Sequence, residues 1–275
     1  MVFAAVLLAA LMHASWNALV KVQTDRLSAV LLIVLAQVGI SLVLLPFFPL
    51  PLPASCPWVL ASGIVHTGYK LTLIQAYRHG DFSQVYPIAR GTAPLLVAIV
   101  SIAFLSERIT VEKCAAIALI GFGVCCMSLR RASIKLPKKA LLPAVTTAAF
   151  TASYTLVDGL GVRQAGSATS FLLWTNILDG AFTCTYAILV RGSNAFINLR
   201  PAWRAGLPAG AMSLLAYWIV IWAFTQAPIA IVAALRETSV LFAVVIATLF
   251  LKERIGLMTI LAAMMIATGV VLMRL

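Results

Sequence analysis

Hydrophobic residues fall in long continuous runs along this chain, and charged residues, prolines and glycines gather at the breaks between them. Ten runs stand out, at about 2–20, 27–48, 56–77, 82–105, 110–129, 140–158, 167–190, 204–225, 228–251 and 256–273. Each approaches the length of about 20 apolar residues that carries an α-helix across a hydrocarbon core. The runs lack the apolar–polar alternation of barrel strands, and only helices or closed barrels satisfy their backbone in lipid. The pattern predicts an all-α integral membrane protein with ten transmembrane helices.

The pattern also repeats. RGTAPLLVAIVSIAFLSERI at 90–109 returns without gaps as RETSVLFAVVIATLFLKERI at 236–255, keeping Arg90/Arg236, Thr92/Thr238, Leu95/Leu241, Phe104/Phe250, Leu105/Leu251, Glu107/Glu253, Arg108/Arg254 and Ile109/Ile255. A fainter echo sets Ala14-Ser15-Trp16 against Ala152-Ser153-Tyr154. The most polar stretch divides the chain into a first five-helix repeat at 1–129, a connecting loop at 130–139 and a second five-helix repeat at 140–275. Five is odd, so homologous halves enter the membrane from opposite sides. The expectation is two inverted repeats around a midplane site.

Composition narrows the class. The chain has 63% hydrophobic residues, a mean hydropathy of +1.05 and 10% charged residues, whereas soluble domains are about one quarter charged. Its net charge of +12 resides mostly in the loops: thirteen lysines and arginines fall in the odd-numbered loops and four on the opposite side. Loop cations of this kind orient a membrane protein rather than bind nucleic acid, so no nucleic-acid partner is expected. The bias places the odd loops in the cytoplasm and both termini outside. Five cysteines show no metal-ligand spacing, and no metal or cofactor is expected. Val2–Leu11 lacks a basic leader and a cleavage site, and reads as a retained first helix.

The two five-run halves, (S/K)-E-R-I at 106–109 and 252–255, HASWNALVK at 13–21 and the Pro87/Pro94 pair in run 4 resemble the drug/metabolite transporter superfamily, specifically its ten-span EamA-type permeases. The resemblance covers essentially the whole chain. It implies a secondary transporter in a membrane, here the bacterial inner membrane, and not an enzyme. Members export amino acids, drugs and other metabolites or exchange phosphorylated sugars, and many are described with both termini in the cytoplasm, opposite to the loop-charge reading. Small multidrug members couple to protons through a glutamate in the first helix. Run 1 here offers His13 and Asn17 and no acid, which weighs against a proton-coupled exporter of cations.

Charged side chains at membrane depth cost about 2.5–3.5 kcal/mol each, so they face a cavity or a partner. Lys70, Arg90, Asp179, Arg236 and Glu237 are such groups. Arg90 lies eight residues into run 4 and Arg236 at the matching place in run 9, so a pseudo-two-fold brings both toward one cavity. The planar guanidinium fork suits a carboxylate or phosphate. Three cations against two acids favour an anion or zwitterion over an organic cation. The competing role for either arginine is an ion pair fixing helix packing, for instance Arg236 with Asp179. Trp16 and Tyr154, the repeat-related aromatics, join Tyr69, Tyr86 and Asn17 as substrate-contacting candidates, with Tyr217, Trp174, Trp218 and Trp222 lining more widely. Interfacial anchoring competes for these rings. Glu237, Asp179, His13, His66 and Lys70 are coupling or ion-pair candidates. Pro87, Gly91 and Pro94 form a hinge or a static kink in run 4.

These readings converge on a secondary transporter, an exporter, of a small organic anion or a zwitterionic metabolite such as an amino acid. It works by alternating access, with the bilayer, its substrate and protons as partners. A proton-coupled exporter of hydrophobic cations is the alternative. An intramembrane lipid-phosphate enzyme is remote, because the clustered His, Asp and Glu it needs are missing. No phosphate-binding loop of the G-x-x-x-x-G-K-(S/T) type occurs. One chain holds both halves, so a monomer suffices and a homodimer stays open.

Overall fold

The computed structural model describes residues 1–20, 26–79, 82–105, 107–127, 138–192, 194–197, 199, 203–249 and 256–274. The helices are α1 (Val2–Val20), α2 (Arg26–Leu44), α3 (Cys56–His79), α4 (Phe82–Phe104), α5 (Val111–Cys126), α6 (Lys138–Gln164), α7 (Ala168–Arg191), the single turn α8 (Asn194–Ile197), α9 (Trp203–Phe224), α10 (Ile229–Arg236), α11 (Ser239–Leu249) and α12 (Leu257–Arg274). No strand occurs among the described residues. Local chemistry sets several ends. Thr110 caps α5 by accepting from Lys113 N, Ser167 caps α7 by accepting from Ser170 N, and α7 stops at Gly192, whose φ of 62° suits glycine.

Among the described residues, five segments are long and apolar enough to cross a membrane: Leu27–Phe47, Ala168–Arg191, Trp203–Phe224, Ile229–Leu249 and Leu257–Arg274. Val2–Asn17 and Arg90–Phe104 are shorter apolar helices. Helices α3 and α6 span 24 and 27 residues but carry His66, Lys70 and Asp158, which dilutes their apolar character. The outer surface is apolar, with Leu42, Val43, Phe104, Leu189, Leu249 and Leu257 exposed. A water-facing protein rarely shows so much, and lipid is the natural solvent for it.

The packing is the same when the two halves are exchanged. Helix α3 lies on α6 and α7 as α9 lies on α1 and α2, and α4 lies on α6 as α10 and α11 lie on α1. Helices α5 and α12, equivalent members of the two halves, pack on each other. A Cβ on Gly123 would come 2.7 Å from Ile266 Cγ1 and 3.1 Å from Ala262 O, and one on Gly269 would come 2.7 Å from Ile120 Cγ1 and 2.8 Å from Ala116 O. The six residues of α5 and α12 in this contact form three pairs, 116/262, 120/266 and 123/269, related by the same 146-residue offset as Arg90 and Arg236. Moving up α5 from Ala116 toward Gly123 means moving down α12 from Gly269 toward Ala262, so the two helices are antiparallel.

One expectation changes. Run 9 is not one helix: α10 ends at Arg236 and α11 begins at Ser239. Across the join Glu237 N bonds Ala234 O, Thr238 N bonds Leu235 O and Val240 N bonds Glu237 O, a tightened 3₁₀ ladder. Thr238 Oγ1 also donates to Leu235 O at 2.7 Å, the local competition that unsettles a helix without proline or glycine. Run 4, which carries Pro87, Gly91 and Pro94, forms one helix over Phe82–Phe104. The side chains of Tyr86 and Pro87 lie outside the described residues, as do residues 130–137 of the connecting loop and the second (S/K)-E-R-I copy at 252–255.

Candidate functional site

The join between α10 and α11 faces α4, and there the sequence-adjacent Arg236 and Glu237 point to different partners. Arg90 Nε on α4 donates to Glu237 Oε2 at 3.1 Å, with both side chains 3% exposed. Such a pair gains little net over apolar packing, but removing one member strands the other in a medium that cannot solvate it. Arg90 thus takes the ion-pair role, with Glu237 as partner.

Arg236 is different. Its Nη2 donates to the Tyr154 hydroxyl at 3.0 Å, and its Cζ sits 5.7 Å from the ring centroids of both Tyr154 and Tyr217. Among the described residues its Nη1 is buried without a hydrogen-bond partner, and no carboxylate lies in salt-bridge range of it. The repeat supplies the reason. Glu237, which neutralises Arg90, has Gly91 as its 146-residue counterpart, so the acid that would mirror it beside Arg236 is missing. Gly91 cannot easily be larger, since a Cβ there would lie 2.6 Å from Cys125 Sγ and 2.8 Å from Gly121 O. That close approach of α4 to α5 makes Gly91 a packing residue. A buried donor left unmade costs about 1–3 kcal/mol.

The aromatic floor is shared by three helices. His66 on α3 stacks on Tyr154 at 4.2 Å and 23°, Tyr69 meets Tyr154 edge-on at 5.5 Å, and Tyr217 on α9 meets His66 edge-on at 5.5 Å. His66 Nε2 bonds Asp158 Oδ2 at 2.9 Å, and the Tyr217 hydroxyl donates to the same oxygen. Asp158 is wholly buried, and its Oδ1 has no hydrogen-bond partner among the described residues. Its presence corrects the expected surplus of intramembrane cations: three acids face three. The apolar run 140–158 ends at Asp158, whereas α6 continues to Gln164, so Asp158 lies inside the helix.

The other candidates divide. Lys70 pairs with Asp179, which also accepts from Thr67 at 3.3 Å and Thr183 at 3.4 Å, so these groups brace α3 against α7. Arg236 is therefore not the partner of Asp179. His13 on α1 is half-buried, meets Trp16 edge-on at 5.1 Å and lies within electrostatic range of both arginines. Trp16 Nε1 is buried without a hydrogen-bond partner among the described residues. Asn17 Nδ2 donates back to His13 O at 2.8 Å, within its own helix. Pro94 is buried within unbroken α4.

A further constellation, unforeseen in sequence, closes one end. Glu107 Oε1 accepts from Ile229 N at 2.9 Å, capping α10, and from Arg163 Nη2 at 3.1 Å. Arg163 also donates to Phe224 O at 2.9 Å and Ala227 O at 3.0 Å, tying α6 to the end of α9. An acid at a helix N-terminus complements its dipole. An open crevice of about 560 Å³ lies apart from all this, between Met12, Thr169, Leu215 and Trp222.

The sequence matches the profile of the family described as "EamA-like transporter family" over residues 1–129 and 138–275. A solved crystal structure of a protein superposes with a TM-score of 0.77 over 98% of this chain and 94% of that chain; at 16% identity it speaks for the fold alone. No curated protein matches the sequence.

Proposed function

The chain belongs to the EamA-like transporter family and is a multi-pass integral membrane transporter, and from that premise we propose that it exports a small organic anion or a zwitterionic metabolite such as an amino acid. Arg236 carries this reading. A fully charged guanidinium, held by one hydroxyl, flanked by two aromatic rings and with a buried donor unused, is suited to a carboxylate. Tyr154, Tyr69 and Trp16 complete the surroundings, and Arg90 serves by holding α4 to the helix join.

In this reading ten spans form two inverted repeats, 1–129 and 140–275, with 130–139 linking them, in a bacterial inner membrane. The antiparallel seam of α5 and α12 supports the inversion, because equivalent helices that run oppositely belong to oppositely inserted halves. Access alternates as the halves rock, and the join at Glu237–Thr238 is a natural place for bending. A single chain is the working unit. Hydrophobic-cation export is disfavoured, since Glu237 and Asp179, its proton carriers, are each held by a cation.

The test is thermal unfolding of detergent-purified protein against carboxylates, phosphonates, amino acids and lipophilic cations, with wild type beside Arg236→Gln. Anions or zwitterions should raise the melting temperature of wild type and not of the variant. Stabilisation by lipophilic cations alone, equal in both proteins, refutes the reading.

A further inference from the structure

A second orphaned atom lies one helical turn from Tyr154, the residue that holds the arginine. Asp158 Oδ2 is engaged by His66 and Tyr217, whereas Oδ1 of this 0%-exposed residue has no partner among the described residues. Asp158 follows Tyr154 by four positions on α6, so the two share a helix face at about 5–6 Å between Cβ atoms. Tyr154 holds Arg236, and Tyr217 lies beside Arg236 while holding Asp158. Among the described residues, a donor without an acceptor and an acceptor without a donor therefore stand on one aromatic cluster, linked through Tyr154 and Tyr217, an arrangement with one place for each charge of a small zwitterion.

We infer that Asp158 is an exchange site, taking either the ammonium group of a zwitterionic substrate or a proton, with His66 sharing that proton. The inference rests on the substrate reading above. With the substrate carboxylate on Arg236, its ammonium reaches Asp158. One positive charge arrives as one proton leaves the Asp158–His66 pair for the water on the open side. When the substrate departs, a proton returns. Ammonium and proton compete for one carboxylate, so each weakens the other's binding by the same factor. Competition of that sign is what antiport needs, because inward protons then drive outward substrate.

The surrounding groups are accounted for. Tyr154 from α6 stacks on His66 and Tyr217 from α9 bonds Asp158, while Tyr69 from α3 and Arg236 from α10 pack on Tyr154. His13 lies on α1 near the arginines. Arg90 with Glu237 from α4 and the join, and Lys70 with Asp179 from α3 and α7, are internally neutralised.

The experiment uses the full chain, in detergent for binding and in liposomes holding a pH dye for transport. The probes are phenylalanine, hydrocinnamate and phenethylamine, with leucine, isocaproate and isopentylamine as the aliphatic set. Wild type should bind an amino acid about tenfold or more tightly than its des-amino analogue, the worth of one buried charge-assisted contact. An amino-acid gradient should move protons the opposite way. Asp158→Asn should cut the preference to under about threefold and abolish proton movement while carboxylates still bind. His66→Gln keeps a donor to Asp158 and should shift the pH profile of exchange while retaining the amine preference. An Asp158→Asn protein that keeps both preference and proton movement overturns the inference. So does wild type that binds hydrocinnamate as well as phenylalanine, which leaves the carboxylate reading intact if Arg236→Gln abolishes both. If no probe binds wild type, both readings fall. Should Asp158→Asn not fold, an unchanged pH profile in His66→Gln overturns the exchange site.

Discussion

Replacing Arg90 by alanine strands the Glu237 carboxylate, 3% exposed and within 3.1 Å of the guanidinium it loses. Breaking a buried pair from one side costs about 3–5 kcal/mol, far more than the pair contributes over apolar packing. At about 2–4 °C per kcal/mol for a chain of this size, the melting temperature should fall by roughly 6–20 °C. Arg90→Ala/Glu237→Ala removes both charges and should melt nearer to wild type than Arg90→Ala does, giving a coupling energy of about 2–3 kcal/mol in the double-mutant cycle. The assay is thermal unfolding of the four proteins in one detergent, with and without the best-binding amino acid or carboxylate. The double variant should keep its ligand-induced shift. Additive losses, or Arg90→Ala melting like wild type, would refute the assignment of Arg90 to the helix join.

Arg236→Gln should lower the melting temperature by no more than a few degrees, since it removes one hydroxyl bond and relieves a buried unmatched charge; ligand titration should show binding lost. Gly91→Ala forces a methyl against Cys125 and Gly121 O and should cost about 1–3 kcal/mol equally with and without ligand, read by the same melts. Glu107→Gln weakens the cap on α10 and the contact to Arg163, costing about 1–2 kcal/mol. The Arg163 side chain is 36% exposed, so its share of that loss should fade in high salt, whereas the share of the cap, on a Glu107 side chain 7% exposed, should persist.

Apolar runs foretold the helices well, because hydrophobic length is a property of neighbouring residues. The join in run 9 escaped because no proline or glycine lies between Pro228 and Gly256. Its signal was subtler, in Thr238, whose hydroxyl competes with the backbone by bonding Leu235 O. Partner choice was not legible. Arg236 is adjacent to Glu237 in sequence, yet Glu237 turns to a helix 147 residues away. The cost of an uncompensated charge drives such pairings, and they form only once helices pack. Asp158 was visible as an acid four residues beyond Tyr154, but ending the run there concealed its depth.

The seam between α5 and α12 is isologous in the sense used for dimers: residue i of one side touches j of the other, and the equivalent of j touches the equivalent of i. In a true homodimer, symmetry would force every substitution to appear twice. Joining the halves in one chain supplies the partner at an effective concentration of order millimolar, so association no longer depends on two identical faces. The seam keeps its matched glycines, Gly123 and Gly269, while the helices beside it are free to diverge. One arginine can then acquire an acid and its twin can be left without one. Covalent fusion thereby lets a pair of equivalent cations take different partners, a carboxylate for Arg90 and a hydroxyl for Arg236.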